Sequence, residues 1–385
     1  MITGRKKRVA VLGATGSVGT SAMRVLRAMG DQWDVVLLSA GGGRIDALAA
    51  LTAEFAVPHA VTADAAQLPH LRALLPSTAT AYGGNDALCA LLRELDIDLV
   101  ICAIVGLAAL EPAIAALGSG KRLALASKEV LVTAGSLVMD LAREKNITIL
   151  PVDSEHSALF QCLDRHDPAE VEKLLLTASG GPFRKTPAAD LAKVTFDQAM
   201  AHPTWNMGPK VTLDSATLMN KALEMIEAHH LFGVSAKKIE VVVHPQSIIH
   251  SMVEWCDGAV SALLSVPDMR FPVQYALTYP ERMDAGLPKL DWTAMKDLTF
   301  EAPDESRFPS LTFARHAMRE DGTMAAVMLA ANETACDRFC RGEVTLPDIW
   351  RIIERTMSVH QNKKTVDLAE IREADRWARS YASTI

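Results

Sequence analysis

Short apolar runs alternate with helical patterns from the start of the chain to about residue 152. Strands are predicted for the runs RVAVLG, WDVVLLSA, HAVTAD, DLVICAIVG, RLALAS and ITILPV. The segments between them, such as RIDALAALTAEFA and DALCALLREL, are rich in Ala and Leu and favour helices. Apolar strands that alternate with helices are typical of a doubly wound parallel sheet. We therefore predict an α/β domain over residues 1–152.

The pattern changes after this point. The segment KIEVVVHPQSIIHSMVEWCDGAVSALLSV predicts consecutive strands, in which Asp257-Gly258 favours a hairpin turn. Residues 281–309 are rich in Pro, Asp and Gly, and residues 310–385 have helical patterns. We predict a central α+β domain with a mostly antiparallel sheet over residues 153–280, a linker over 281–309 and a helical bundle over 310–385.

Composition narrows the class of protein. The chain has 385 residues, of which 49% are hydrophobic and 22% charged, so a globular protein of more than one domain is expected. The formal net charge of −7 argues against a nucleic-acid or anionic-membrane surface. The longest apolar run, LVICAIVGLAAL, is shorter than the ~20 residues that a membrane helix needs. Six scattered cysteines without a CxxC pair favour reduced thiols and a cytoplasmic protein.

A glycine-rich turn follows the first predicted strand. In VAVLGATGSVGTSAMRVL, the glycines Gly13, Gly16 and Gly19 have a GxxGxxG spacing, which is a variant of the dinucleotide fingerprint. Glycines allow the backbone to approach a pyrophosphate, which the N-terminus of the next helix attracts. The N-terminal domain is therefore expected to be Rossmann-like and to bind a dinucleotide.

The end of the second strand indicates which dinucleotide. Proteins that prefer NAD usually place an acidic residue there to hold the ribose hydroxyls. Here the sequence is LLSAGGGRID, with three glycines and then Arg44. The missing acid and the nearby Arg favour NADP. Equally, Arg44 is compatible with an exposed position in the first turn of a helix.

Two carboxylates stand close together in PVDSEHSALF, after the last strand of the N-terminal domain. Asp153 and Glu155, on either side of Ser154, are common residues at a helix N-terminus. On an extended segment, residues two apart face the same way, so both acids could instead converge on a metal or an acid/base site. The pair alone favours the helix cap.

A second polar cluster lies in KVTLDSATLMNKALEMIEAHHLFG, where Asp214 or Ser215 could cap a helix. On that helix Asn220, Lys221 and Glu224 would share one face. A surface salt bridge is the ordinary explanation for such spacing. A helix N-terminus with a serine cap is also a good phosphate site.

Three further features are candidates for ligand contacts. Ser179 precedes Gly180-Gly181 in a turn that could present N–H groups and a hydroxyl to an anion. His202 and Trp205 lie in a loop bounded by Pro and Gly, which favours a substrate lid. Lys128 follows a strand of the parallel sheet, at the edge where such folds bind ligands. An ordinary turn, a surface loop and a helix first turn are the alternatives.

Taken together, these segments resemble the 1-deoxy-D-xylulose 5-phosphate reductoisomerase family. The matching segments are GATGSVG, ALASKE, PVDSEHSALFQ, SGGPFR, HPTWNMG, DSATLMNKALEMIEA, HPQSIIHSMVE and Asn332-Glu333, in the order of the family. The resemblance implies a homodimer of three-domain chains that uses NADPH and Mg²⁺ or Mn²⁺. It implies conversion of 1-deoxy-D-xylulose 5-phosphate to 2-C-methyl-D-erythritol 4-phosphate, in non-mevalonate isoprenoid biosynthesis.

The resemblance also assigns roles to residues of this chain. It places the metal on Asp153, Glu155 and Glu224 and adds Lys128 to them as a catalytic residue. The substrate contacts that it implies are Lys128, Ser154, Glu155, Ser179, His202, Trp205, Ser215, Asn220, Lys221 and Glu224. The cofactor contacts that it implies are Thr15, Gly16, Ser17, Val18, Gly41, Gly42, Gly43, Arg44, Ser127, Glu129 and Gly208.

This chain departs from the family pattern at two places. Gly42 and Gly43 stand where a basic residue and Asn are often found, so contact with the 2′-phosphate would pass to Arg44 or to backbone groups. Ser127 stands where Asn is common, which weakens that contact but keeps a hydroxyl.

Two other function classes were weighed. GATGSVG also opens semialdehyde-type dehydrogenases, which need a nucleophilic Cys, and the nearest candidate is Cys162. Cys162 has apolar neighbours in a helical pattern and is expected in the core. A non-catalytic NADP sensor would need the glycine loop but neither the three acids nor a phosphate site.

Overall fold

The computed structural model describes residues 5–205, 207–295, 297–364 and 367–385. The Cα positions group these residues into two compact units. The first unit comprises the chain up to Val130, Val138–Ser157 and Asp268–Pro288. The second comprises Leu131–Leu137, Ala158–Pro267 and Lys289–Ile385. The domain boundaries at residues 152, 280 and 309 stay predictions.

The strands lie in two sheets. In chain order they are β1 (Lys7–Leu12), β2 (Trp33–Ala40), β3 (His59–Thr62), β4 (Thr80–Gly83), β5 (Leu99–Cys102), β6 (Arg122–Leu125), β7 (Ile149–Pro151), β8 (Val171–Ala178), β9 (Ile239–Val243), β10 (Ile249–Trp255) and β11 (Val260–Leu264).

The helices occupy the segments between these strands and the C-terminal part. In chain order they are α1 (Ser17–Met29), α2 (Ile45–Glu54), α3 (Leu68–Leu74), α4 (Asn85–Glu94), α5 (Leu110–Gly118), α6 (Glu129–Glu144), α7 (Ser154–Leu163), α8 (Phe196–Met200), α9 (Pro209–Ala216), α10 (Met219–Phe232), α11 (Arg270–Thr278), α12 (Ser310–Glu320), α13 (Met324–Cys340), α14 (Leu346–Val359) and α15 (Leu368–Ala382). Within the described ranges, we find no helix with the length and apolar character that crossing a bilayer requires.

The first unit is built on a parallel sheet with the order β4-β3-β2-β1-β5-β6-β7. Its pairs are parallel throughout. The strand order reverses at β1, between β2 and β5, which is where doubly wound folds bind dinucleotides. The prediction of a Rossmann-like doubly wound sheet is therefore confirmed. The strand β4 was not predicted, because TAYG is short and has little apolar signal, with only Ala81 buried.

The glycine turn between β1 and α1 is packed too closely for side chains. Gly13 has φ +79°, and a Cβ placed on it would lie 2.4 Å from the carbonyl oxygen of Ala103. A Cβ on Gly19 would lie 2.1 Å from the carbonyl oxygen of Gly13. The first turn of α1 can therefore press against the loop only because both positions are glycine.

The second unit contains a sheet with the order β11-β10-β8-β9. The β11/β10 and β10/β8 pairs are antiparallel and the β8/β9 pair is parallel, so the predicted mostly antiparallel sheet is confirmed. Asp257-Gly258 lies in the turn between β10 and β11, as predicted. The helices α12, α13 and α14 share one buried hydrophobic core with α10 and β8.

One predicted helix is in fact two. The sequence analysis expected a single helix capped by Asp214 or Ser215, whereas both residues lie inside α9, which ends at Ala216. A second helix, α10, starts at Met219 after Leu218, whose φ of +59° is left-handed. A single left-handed residue redirects the chain. The break places Asn220 and Lys221 in the first turn of a new helix.

Candidate active site

Lys128 and Asp153 follow the carboxyl ends of two neighbouring strands. Lys128 directly precedes α6 after β6, and Asp153 directly precedes α7 after β7. Because β6 and β7 are paired and parallel, both residues stand at the same edge of the sheet. Lys128 Nζ lies 2.5 Å from Asp153 Oδ2, and the two side chains are only 10% and 14% exposed. The structure thus places a nearly buried ion pair at the ligand-binding edge.

The backbone around Glu155 is helical. Ser157 N–H donates to the carbonyl oxygen of Asp153 at 2.8 Å, so α7 starts directly after Asp153. The helix-start interpretation of this stretch is confirmed, and the extended conformation that would align the two acids is wrong. Ser154 Oγ donates to the Glu155 carboxylate. The two carboxylates therefore occupy a helix N-terminus, where negative charge is favoured.

Lys221 and Glu224 form a buried ion pair at the start of α10, and the partly buried Asn220 is bonded to it. Asn220 Nδ2 donates to Glu224 Oε1 at 2.6 Å, and Lys221 Nζ donates to Glu224 Oε2. The Lys221 and Glu224 side chains are 4% and 0% exposed. The expected i,i+3 pair exists, but its expected surface location is wrong. Burial of two charges costs free energy of desolvation, so this pair differs from an ordinary salt bridge on an exposed helix face.

The turn at Ser179 is hydrogen-bonded to the loop at His202. The Nδ1 atom of His202 accepts hydrogen bonds from the N–H groups of Thr204 and Trp205 at 3.2 and 2.9 Å. The proton of this imidazole is therefore on Nε2, which donates to Ser179 Oγ at 2.9 Å. Gly181 N–H donates to the same hydroxyl oxygen at 3.3 Å. Because Ser179 Oγ accepts both bonds, its own hydrogen can be donated to an anion.

Burial favours the neutral form of two histidines in this region. Burial lowers the pKa of His202 and lowers the pKa of His250 to about 4. The His250 ring lies 6.2 Å from the Trp205 ring between centroids, and its Nε2 is 2.8 Å from Ser265 Oγ. Lys221 provides a buried positive charge in this part of the second unit, and Lys210 and Arg184 are further cations there.

Backbone packing brings the Ser179 turn next to α9. Gly181 has φ +68°, and a Cβ on it would lie 2.5 Å from the carbonyl oxygen of Ser215. Only glycine permits that approach. Ser179, His202 and Ser215, which the resemblance assigned to the substrate, thus lie in one region of the second unit.

The predicted cofactor residues belong to the first unit, except Gly208, which belongs to the second. Arg44 Nη1 donates to the carbonyl oxygen of Thr15 at 2.6 Å, so Arg44 lies against the turn despite its exposure. Nothing lies within 4 Å of a Cβ placed on Gly41 or Gly43, whereas one on Gly42 would contact Asp64. Gly208, in the second unit, immediately precedes α9.

Ser127 uses its hydroxyl internally. It is 3% exposed, and its Oγ donates to the carbonyl oxygen of Ile104 at 2.5 Å. A ligand could therefore only donate to this oxygen. Glu129, two residues later, is the first residue of α6 and is buried as well.

Two buried histidines, His156 and His250, were not predicted from the sequence. His156 is fully buried, and its Nδ1 lies 3.9 Å from Asp153 Oδ2. The i,i+3 spacing from Asp153 was the available signal. His250, by contrast, meets Trp205 from a distant strand, and no local pattern indicates that contact.

Cys162, the nucleophile that a semialdehyde dehydrogenase would need, is part of α7. It packs against the hydrophobic core of the second unit. Cys162 is partly buried, so it lies at the margin of that core and not within it as expected.

Comparison with protein families identifies the chain over most of its length. The sequence model of 1-deoxy-D-xylulose 5-phosphate reductoisomerase matches residues 9–135. Two models that describe the C-terminal domain of the same enzyme match residues 149–232 and 264–381.

Individual relatives give the same result. The 1-deoxy-D-xylulose 5-phosphate reductoisomerase of Chlorobium chlorochromatii is 48% identical over 379 residues, which cover 98% of this chain and 99% of that protein. The enzyme of Symbiobacterium thermophilum is 49% identical over 382 residues, or 98% of each chain. A solved structure of the Zymomonas mobilis enzyme in complex with NADPH matches with TM-score 0.93 at 41% identity, covering 98% of both chains. A DOX-P reductoisomerase structure with NADPH, fosmidomycin and magnesium matches with TM-score 0.93 at 36% identity, again over 98% of both. This chain belongs to the 1-deoxy-D-xylulose 5-phosphate reductoisomerase family.

Proposed function

We propose that this protein converts 1-deoxy-D-xylulose 5-phosphate to 2-C-methyl-D-erythritol 4-phosphate, with NADPH and a divalent cation. The buried group of Asn220, Lys221 and Glu224 is the observation that supports this most strongly. Structural helices rarely bury a lysine and a glutamate together, because the desolvation cost is high. The Lys221 ammonium would bind the substrate phosphate and the Glu224 carboxylate would bind the metal, which explains why both charges are buried there.

The donor set suits a hard divalent cation. We assign Asp153, Glu155 and Glu224 as its ligands, since carboxylate oxygens are what Mg²⁺ and Mn²⁺ prefer. Glu224 is fully buried, and Asp153 lies at the ligand-binding edge of the first sheet. Both carboxylates contact a lysine ammonium, which stabilises their ionised form.

The second unit supplies groups that suit the substrate phosphate. Lys221 provides a positive charge, Asn220 an amide, and Ser179 and Ser215 hydroxyls. His202 is neutral and holds Ser179 through Nε2, so the hydroxyl hydrogen of Ser179 points to the anion rather than to the imidazole. Phosphate oxygens accept hydrogen bonds from such donors.

NADP(H) fits the first unit. The turn at Gly13 to Gly19 allows a pyrophosphate to approach the N-terminus of α1, as in other doubly wound folds. Arg44 lies against that turn and is assigned to the 2′-phosphate. No acidic residue occupies the end of β2, where one would repel this group.

The residues of the chain then have separate tasks in the reaction. When bound, the cation polarises the ketone carbonyl and NADPH supplies a hydride. One carbon–carbon bond of the sugar phosphate breaks and another forms, which gives a branched aldehyde with the same atoms, and a hydride and a proton then reduce it. Lys128 Nζ orients the reacting hydroxyls and is, with Glu155, a candidate to move their proton. Trp205 and His202 exclude water, which strengthens the charge interactions.

An NADPH-consumption assay with 1-deoxy-D-xylulose 5-phosphate tests this function. We expect turnover that EDTA abolishes and that excess Mg²⁺ or Mn²⁺ restores, because the reaction needs a cation, held by the proposed carboxylates, to polarise the carbonyl. Turnover at the same rate in EDTA would contradict the three-carboxylate site.

With NADH in place of NADPH, kcat/KM should fall at least about tenfold, since Arg44 loses the 2′-phosphate. Equal values would contradict the cofactor assignment.

We also assign a cytoplasmic homodimer. All six cysteines are free thiols, which suits a reducing compartment. The edge strand β11 has Val260 52% exposed, and an exposed edge is a surface that a second copy of a chain can cover. A monomer mass of 41.6 kDa in light scattering would contradict the dimer.

A further inference from the structure

The helix that carries Ser215 is bonded through buried side chains to the C-terminal helices of the same unit. Asp214, one residue before Ser215 in α9, is 1% exposed. Its Oδ1 accepts a hydrogen bond from Asn332 Nδ2 of α13 at 2.8 Å, and its Oδ2 accepts one from Lys210 Nζ at 2.8 Å. Cys336 Sγ lies 3.9 Å from the same Oδ1. A carboxylate buried so deeply is stable only with such bonds, so they fix its position.

The ionic contacts continue from α9 to the last helix, α15. Lys210 Nζ lies 3.8 Å from Glu333 Oε1, on α13. Arg379 of α15 donates to Glu333 and, at 2.9 Å, to both carboxylate oxygens of Asp375. Burial would lower the pKa of Arg379, but its bonds to Asp375 and Glu333 raise that pKa above its ordinary value. The signs alternate from Asp214 to Asp375, so each charge lies beside an opposite one.

The other end of α9 is held as well. The carbonyl oxygen of Thr217 accepts a hydrogen bond from Ser310 Oγ of α12 at 2.8 Å. Trp350 Nε1 of α14 donates to the same Ser310 Oγ at 3.0 Å. Since α9 spans only Pro209–Ala216, it is too short to be stable without tertiary contacts. Contacts with α12, α13 and α14 therefore help to fix its orientation, and α15 supports α13 through the Arg379–Glu333 pair.

We propose that Asp214, Asn332 and the Glu333–Arg379 pair are positioning residues for the substrate phosphate. The inference rests on the proposed function, which assigns Ser215 to that phosphate. The C-terminal helices hold α9, and α9 holds the Ser215 hydroxyl where it can act together with Ser179. A displacement of α9 by a fraction of an ångström would weaken phosphate binding and leave the glycine turn and Arg44 of the first unit unchanged. Among the predicted cofactor contacts it would reach only Gly208, which directly precedes α9.

Kinetics of Asp214→Asn and Glu333→Gln test the proposal. Asp214→Asn keeps the shape of the side chain but removes its charge. Glu333→Gln changes a residue that reaches Asp214 only through Lys210, so it should perturb folding less. In both, we expect KM for the sugar phosphate and the competitive Ki of inorganic phosphate to rise together, by about tenfold for Asp214→Asn. KM for NADPH should rise much less than KM for the sugar phosphate, because Gly208 is the only predicted cofactor contact beside α9 and the others lie in the first unit.

Asp348→Asn is the matched control, because Asp348 accepts hydrogen bonds from Thr345 and pairs with Arg351 at 3.0 Å at the start of α14, and neither partner belongs to the contacts described above. This variant should lower the melting temperature and leave both phosphate-dependent constants unchanged. Wild-type KM and Ki in Asp214→Asn and Glu333→Gln, with only the melting temperature reduced, would overturn the inference. A wild-type protein that fails to turn over the sugar phosphate would instead overturn the proposed function, and the inference with it.

Discussion

Replacement of Glu224 by Gln should lower kcat by roughly a thousandfold, about 4 kcal/mol in the barrier, because a proposed metal ligand loses its charge. The Glu224 side chain is fully buried and accepts hydrogen bonds from Asn220 and Lys221. Gln has nearly the same volume and keeps one acceptor oxygen, so the fold should survive. The Lys221 ammonium loses its counter-charge, so the melting temperature should fall. Steady-state kinetics over a Mg²⁺ titration give the measurement.

Two controls separate metal loss from unfolding. Glu240→Gln removes a carboxylate of β9 that is 51% exposed and pairs with Lys173 at the surface, and it should leave kcat unchanged. NADPH binding, followed by fluorescence, should be unchanged in Glu224→Gln, because the assigned 2′-phosphate contact, Arg44, lies beside the glycine turn. Activity close to that of the wild type at low Mg²⁺ would refute the assignment of Glu224 as a ligand.

Replacement of Lys128 by Met should lower kcat/KM for the sugar phosphate roughly a hundredfold, which is the lower end of what a positioned proton-transfer group contributes. Met keeps most of the length of the side chain and removes the ammonium that contacts Asp153 at 2.5 Å. The Asp153 carboxylate then loses its balancing charge, and the reacting hydroxyls lose a donor. The same NADPH-consumption assay, run at saturating cation, gives the value.

Lys145→Met is the comparison for this variant. Lys145 directly follows α6, at the end of the helix opposite to Lys128, and pairs with Glu144 at the surface. The substitution therefore removes an ammonium from the other end of the same helix. It should have wild-type kinetics. If Lys128→Met instead keeps wild-type kcat/KM, Lys128 has only a structural role beside Asp153.

Local sequence patterns were sufficient for much of the first unit. Apolar runs flanked by helical segments predicted a parallel sheet, because both faces of each strand are covered and need apolar residues. The glycine turn was also predictable, since few residues other than glycine fit next to Ala103 and Gly13. The strand β4 was missed because a four-residue edge strand, Thr80–Gly83, has too little apolar signal.

The second unit was harder to predict at the residue level. The pattern of KVTLDSATLMNKALEM is continuous with one helix, and the left-handed Leu218 that divides it has no signature of its own. Similarly, spacing put Lys221 and Glu224 on one face but could not show that this face is buried. Burial depends on what packs over a helix, and in this unit the covering residues come from distant segments.

Sequence patterns were enough to predict the doubly wound and mostly antiparallel sheets, the dinucleotide turn and the residue types available for chemistry. These depend on periodicity, on glycine at crowded positions and on motif order, all of which are local properties. The three-dimensional fold was needed to show that Lys128 contacts Asp153, that His202 donates to Ser179 through Nε2, and that Asp214 is bonded to α13. Such contacts join residues far apart along the chain, and their geometry is fixed by packing and by the need to satisfy buried polar groups.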